Sequence, residues 1–361
     1  MKLRNILGLA LCLSALGMQA QTDVTDFVLG STLEGVSYFL PKTAFRITII
    51  TEKTVTKPGD FNKYANRYLR MPNVPTEETV DWAIKSIKLE PFGVPDKEKA
   101  YSIKIKSKTV APLVGLSSDG ILLSINTEAE EEFMPELPEA IPAAKPEDPR
   151  SYMTQEMLAA GSTAKMAELC AEEIYDLRDS RNSLIKGEAD NMPKDGAQLQ
   201  LMLNQLDNQI AALESMFKGT QQTSTEVTSF NFLPNQETDK EILFRFSQKL
   251  GVVDEDDLAG APIYVSVRCL ETLPKTVMDE DAAKKKAKME KGVFYNVPAR
   301  TKVSIFNNQQ DFFTTELPMG QFGVVEILSN TLFDKQATTK VTFFQSTGGT
   351  KDIMKRFLIH N

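Results

Sequence analysis

The sequence predicts an α+β protein in which two β-rich regions, sandwich- or barrel-like, flank an inserted antiparallel α-hairpin. Three observations carry this expectation. Apolar residues alternate at period two towards both ends of the chain: Phe45, Ile47 and Ile49 in one region, Val303 and Ile305 in the other. That alternation turns one face of a strand to a core and the other to water. Between them Leu199, Leu203, Leu206, Ile210, Leu213 and Phe217 recur at steps of four and three, which is a heptad seam. A stretch dense in proline and glutamate, Glu128 to Pro149, separates the first β region from the helices.

Residues 1–20 have the layout of an export peptide. Lys2 and Arg4 precede an apolar run, Ile6 to Leu16, and small residues lead to Ala20 before the polar Gln21. The run is too short to span a bilayer, so it is read as cleaved. Met18 is larger than the cleavage site prefers, and cutting after Gly17 is the fallback. Lipid attachment at Cys12 would need a small residue where Leu11 stands. No later stretch reaches the roughly twenty apolar residues of a spanning helix. Losing Lys2 and Arg4 takes the net charge from −8 to −10. An acidic chain without a basic stripe repels phosphate backbones, so nucleic acid is not an expected partner. Cys170 and Cys269 remain, too few for a disulfide framework. Their apolar surroundings predict two buried thiols, a single bridge being the alternative.

Residues 21–127 form the N-terminal β-rich region. Tyr101, Ile103 and Ile105 alternate with polar residues, and Asp119-Gly120 reads as a tight turn feeding a strand from Ile121 to Ile125. One helix interrupts, with Asp60 as its expected cap and Phe61, Tyr64, Tyr68 and Leu69 on one face. Residues 128–150 are an extended linker or exposed loop, because proline removes donors and the glutamates repel. Residues 151–218 are the hairpin. Asp195 with Gln198 makes a capping box, while Met166, Cys170, Ile174, Leu177 and Leu184 form the opposing stripe, broken at Arg181. The seam is expected to be consumed within the hairpin and against its own domains.

Residues 219–361 return to β patterning, with strands around Tyr264 to Val267, Val303 to Ile305 and Val341 to Phe343. A solvated helix is expected where Glu280 and Asp281 precede Lys284 and Lys285 by four. Gly35-Val36-Ser37-Tyr38-Phe39-Leu40-Pro41 is similar to Gly292-Val293-Phe294-Tyr295-Asn296-Val297-Pro298. After the proline the two alternations fall out of phase by one residue, a slip that a β-bulge or coincidence accounts for.

The single histidine, His360, lies next to the C-terminus. Serine–His and cysteine–His nucleophiles, His-rich zinc sites and the HExxH helix are therefore not expected. No phosphate-cradling glycine loop occurs. Ser162 with Lys165 and Ser183 with Lys186 have S-x-x-K spacing, but the companion motifs of serine acyl-enzymes are missing. Asp254 to Asp257 lacks the alternation of a calcium loop and is read as an exposed turn. Trp82 is the one tryptophan beside 20 phenylalanines. Phe312-Phe313 and Phe343-Phe344 are therefore read as core and sheet contacts rather than a sugar platform. No catalytic, cofactor-binding or metal-ligating residue is assigned.

Gly35 to Ala44, Pro58 to Ala65, Ser118 to Asn126 and the hairpin segment from Arg178 through Lys186-Gly187-Glu188-Ala189-Asp190 to Gly219 together resemble a family of uncharacterised exported proteins. That family is a domain of unknown function from gut-type Gram-negative anaerobes of the Bacteroidetes. The resemblance implies periplasm or cell surface and supplies no catalytic residue. The resulting expectation is a non-enzymatic envelope protein that binds a partner protein or glycan through the hairpin or a β face. A carboxylate-dependent, glycosidase-like hydrolase would instead show two carboxyl groups facing across a cleft. A subunit of a surface assembly would show an exposed apolar patch or an open sheet edge.

Overall fold

The protein is described from a computed structural model covering residues 23–26, 35–104, 113–271, 292–329 and 337–357. The export peptide, Ile105, the lysine-rich segment around Lys284 and His360 lie outside the described residues. The N-terminal part contains β1 (Asp23–Asp26), β2 (Val36–Lys57), α1 (Ala65–Leu69), β3 (Thr79–Lys104), β4 (Val114–Leu116) and β5 (Leu122–Ile125). The helical part follows as α2 (Gln155–Leu158), α3 (Thr163–Lys186) and α4 (Gly196–Lys218). Then come β6 (Thr220–Phe232), β7 (Thr238–Ser247), β8 (Gly251–Val253), β9 (Ala261–Cys269), β10 (Gly292–Phe306), β11 (Asp311–Ser329), β12 (Ala337–Phe343) and β13 (Thr350–Phe357).

Among the described residues the strands form three antiparallel sheets, ordered β1-β3-β2-β6, β11-β10-β9-β7-β8 and β13-β12-β5-β4. The sheets do not follow the two β regions of the sequence. β6, which follows the hairpin, runs along β2 from Phe45↔Phe232 to Lys57↔Thr220. β12 pairs with β5 at Val341↔Ile125. Period-two patterning marks where a strand runs and which face is apolar, and leaves its partner open.

Two bent hairpins, β2–β3 and β10–β11, tie the sheets together, and each bends beside the proline of its heptapeptide. The register slips between Phe39 and Pro41 and again between Val297 and Ala299. Proline has no N–H for the ladder, so a bulge there disrupts little that was available. The extra residues of each slip lie on β3 and β11; on β2, Tyr38 and Leu40 are buried before the slip and Phe45, Ile47 and Ile49 after it. Consequently each long strand serves two cores. In one, Phe45, Ile47 and Ile49 meet Phe244, Val265 and Ile305 across a sandwich. In the other, Tyr38, Leu40 and Val293 meet Leu122, Ile125 and Val341 of the third sheet. The heptapeptides also touch. The Tyr38 hydroxyl accepts from the Phe294 amide at 3.0 Å and donates to its carbonyl at 3.2 Å, and burial raises its pKa well above the usual phenol. The Tyr101 and Phe294 rings stack at 4.3 Å.

The hairpin forms a third core at the end of β2. Ile174, Cys170, Leu213 and Phe217 pack on Phe61, Ala65 and Leu69. Its ends are set by local chemistry. The Ser162 hydroxyl accepts from the Lys165 amide at 3.2 Å and the Asp195 carboxylate from the Gln198 amide at 2.7 Å. Gly187, at φ 74°, closes α3 in a Schellman turn, with Glu188 N–H donating to the Ser183 carbonyl at 2.9 Å. Arg181, which broke the stripe, reaches across to Asp207 with two bonds of 2.6 and 3.3 Å.

Three expectations need correction. Asp60 caps nothing: a 3-10 turn, Asn62–Tyr64, precedes α1 without a side-chain cap, and the Phe61 amide donates to the Met216 carbonyl at 2.6 Å. Docking on α4 satisfies the donor that a cap would have taken. β2 is not half-wet, since Ala44 and Thr48 on its second face are buried too. Cys170 is buried but Cys269 only partly so, and the two thiols are unpaired. Burial pushes the Cys170 thiol up to about 12. In native protein a thiol reagent is thus expected to label Cys269 quickly and Cys170 only on unfolding. Fast labelling of both would show that the hairpin opens.

Candidate functional site

A concavity lies between α3 and α4 at their free end, a groove of about 690 Å³. Heptad geometry produces it. Near the body, Ile210, Leu213 and Phe217 share a core with α3 and with the segment from Phe61 to Leu69. Further out the cover thins to α3 and the 3-10 turn Pro149–Tyr152, and Leu199, Leu203 and Leu206 are left half-buried. Leu184, Met202 and Leu206 give the groove its apolar floor, while Asp179, Glu188 and Asp190 supply its charge. None of these three carboxylates has an ion-pair partner among the described residues. Leu201, one position before Met202, is 69% exposed. The turn residues Glu188 to Asn191 wall the end.

Below the groove the helices are clamped by charge. The Glu214 carboxylate accepts from Arg178 at 2.7 Å and from Lys218 at 2.8 Å. Burial would raise Glu214, but the hydrogen bonds from Lys218 and Arg178 outweigh it and hold the carboxyl below its ordinary range. A depressed folded pKa contributes stability that is present above the unfolded pKa and is lost as pH falls through the folded one. Glu214→Gln is therefore expected to cost about 1 kcal/mol at neutral pH, the partners being part-exposed. In urea titrations the difference should vanish below the ordinary carboxylate range. A pH-independent difference would assign Glu214 to packing alone.

A second concave region runs under the proline- and glutamate-rich segment, which has neither helix nor strand over residues 128–148. It is strapped onto the sheets: Glu132 N–H donates to Gln345 at 2.7 Å, Arg46 to the Pro135 carbonyl, and Ile141 exchanges two bonds of 2.8 Å with Thr225 on β6. The strap thereby covers part of an edge strand. A cleft of about 410 Å³ beneath it is lined by Phe92, Asp119, Glu132 and Met134. Glu90 also lines it and is held by Arg46 Nε at 2.8 Å.

The residues weighed for chemistry fall in structural places. Ser162 is a helix cap, and the Ser183 carbonyl belongs to the turn that ends α3. Asp254 to Asp257 form the turn from β8 to β9, with Asp257 accepting from the Ala259 amide at 2.9 Å. Trp82 is half-buried, and its amide joins β3 to the Gln248 carbonyl at 2.8 Å. Phe343 is core and Phe344 lies beneath Lys351. Among the described residues no three His, Cys, Asp or Glu side chains are placed to hold a metal, and no helix is long and apolar enough to cross a membrane.

The groove was not assigned from sequence, although its signal was there: a heptad seam longer than the partner surface it has. No curated protein and no solved structure matches the chain. The family described as a domain of unknown function, DUF4831, matches residues 34–351, and the chain belongs to that family.

Proposed function

We propose that this is an exported, non-enzymatic envelope protein of a Bacteroidetes-type cell, at the periplasm or cell surface, which binds a partner protein through the free end of its α-hairpin. The observation that carries the reading is the half-filled seam: Leu199, Leu203 and Leu206 are only half-buried, and Leu206 with Met202 and Leu184 lines an open groove at the free end of the hairpin. Apolar surface held open on a projecting element favours association. The scarcity of imidazole supports a non-enzymatic role, since His360 is the only one. Export rests on the layout of residues 1–20.

Photo-crosslinking in intact producing cells tests the contact. A crosslinking residue at position 202 should capture one defined partner, while one at position 256, in the β8–β9 turn, should capture none. Equal products at both positions, or none at either, would sink the reading. N-terminal sequencing of envelope material should begin at Gln21, and material beginning at Met1 would remove the export claim. Glycan hydrolysis that disappears in Asp119→Asn or Glu132→Gln would replace the binding reading with the hydrolase.

A second reading, subunit of a surface assembly, is favoured by β13. That strand is the edge of its sheet, and Ile353 and Met354 are both exposed on it. Sedimentation of the mature chain as a concentration-independent monomer would count against it.

A further inference from the structure

We infer that the occupant of the hairpin groove is an amphipathic helix of a partner protein, with basic residues flanking its apolar stripe. The inference deepens the proposed function and rests on it. Three features of the groove choose this chemistry. Its apolar floor is Leu206 of the heptad seam with Met202 beside it on α4 and Leu184 on α3. A third helix is the shape that completes such a seam, its knobs entering holes that α3 leaves unfilled. The α3 and α4 helices run 24 and 23 residues, so the groove follows helix geometry rather than that of an extended strand. Every ionisable group lining it is acidic: Asp179, Glu188 and Asp190. Their field favours a cationic partner and penalises an anionic one.

The same charge argues against a second copy of this chain. Apposing two such grooves would bring the three carboxylates of each against the other three, on mature chains that already carry a net charge of −10 once Lys2 and Arg4 are removed from the −8 of the full sequence. An extended peptide is disfavoured as well, because both walls are helices whose backbone bonds are internal, leaving no edge to extend. The contrast within the hairpin is informative. Arg178, Arg181 and Lys218 are already engaged by Glu214 and Asp207, so these cations are committed to holding the helices together. The groove carboxylates have no such commitment among the described residues.

The test uses the mature chain and a fluorescently labelled helical peptide of leucine and lysine, read by anisotropy, with a leucine and glutamate peptide of the same pattern as comparison. The lysine peptide is expected to bind, and binding should weaken about tenfold in the triple variant Asp179→Asn, Glu188→Gln, Asp190→Asn. Leu206→Asp should weaken it by a similar factor, about tenfold. Leu206 is half-buried, so Met202→Asp serves as the second apolar variant should that chain fail to fold. Equal binding of the glutamate peptide, or equal affinity in the triple variant, would overturn the inference and assign any affinity to the general acidity of the chain. Concentration-dependent dimerisation abolished by Met202→Asp would overturn it in favour of a second copy. A partner crosslinked from position 202 together with no peptide binding leaves the hairpin contact standing and removes the helix chemistry. Absence of the crosslink removes the underlying reading itself.

Discussion

Replacing Asn296 by alanine is expected to destabilise the protein by about 3 kcal/mol, because two buried carbonyls lose their donor at once. The Asn296 side chain is wholly buried where β10, β2 and the turn before β13 converge. Its amide nitrogen donates to the Pro41 carbonyl at 3.0 Å and to the Thr347 carbonyl at 2.8 Å, while its backbone N–H donates to Gly348 at 3.1 Å. Around it Thr43 and Gln321 complete a polar junction. The Thr43 hydroxyl accepts from Gly320 N–H at 3.1 Å and donates to the Ser346 carbonyl at 2.8 Å. Space is tight as well: a Cβ on Gly320 would meet the Asn296 amide nitrogen at 2.8 Å. In a chain of this size such a loss lowers Tm by about 5 °C. Asn296→Asp should cost more than alanine, since a carboxylate offers no donor and would face two carbonyls in a buried site. Calorimetry of both variants checks the claim, and an alanine variant melting within about 1 °C of the parent would contradict it.

Phe217→Ala is expected to cost about 4 kcal/mol, the range for an aromatic truncated in a closed core. The ring is fully buried at the base of α4 and meets Phe61 edge-on, with centroids 5.4 Å apart. This contact is where the hairpin meets the segment following β2. Removing it should loosen the hairpin before the sandwich. Far-UV dichroism at the helical band reports the hairpin, whereas the single tryptophan, Trp82, reports the junction of β3 with the β7–β8 turn. The variant is expected to separate the two transitions, the helical one moving to lower temperature. Coincident transitions would mean that the three cores unfold as one unit.

The hairpin was the most legible part of the fold. Its caps Ser162 and Asp195, its stop at Gly187 and its seam depend on interactions within about four residues, and local sequence encodes such interactions directly. Strand positions were legible for the same reason: Phe45, Ile47 and Ile49, Val265 and Val267, and Val341 and Phe343 lie in β2, β9 and β12. Asp60 shows the limit of local reasoning, because the donor it could have capped is satisfied by Met216, distant in sequence.

What the sequence by itself determined is therefore the α+β class, the α-hairpin and the period of each strand. Only the tertiary structure decided that β6 lies beside β2 and β5 beside β12, so that both β cores draw strands from either side of the hairpin. It also decided that the seam outruns its cover and leaves a groove. Periodicity records which way a side chain faces, while the neighbour it meets is chosen by pairing between segments far apart in the chain.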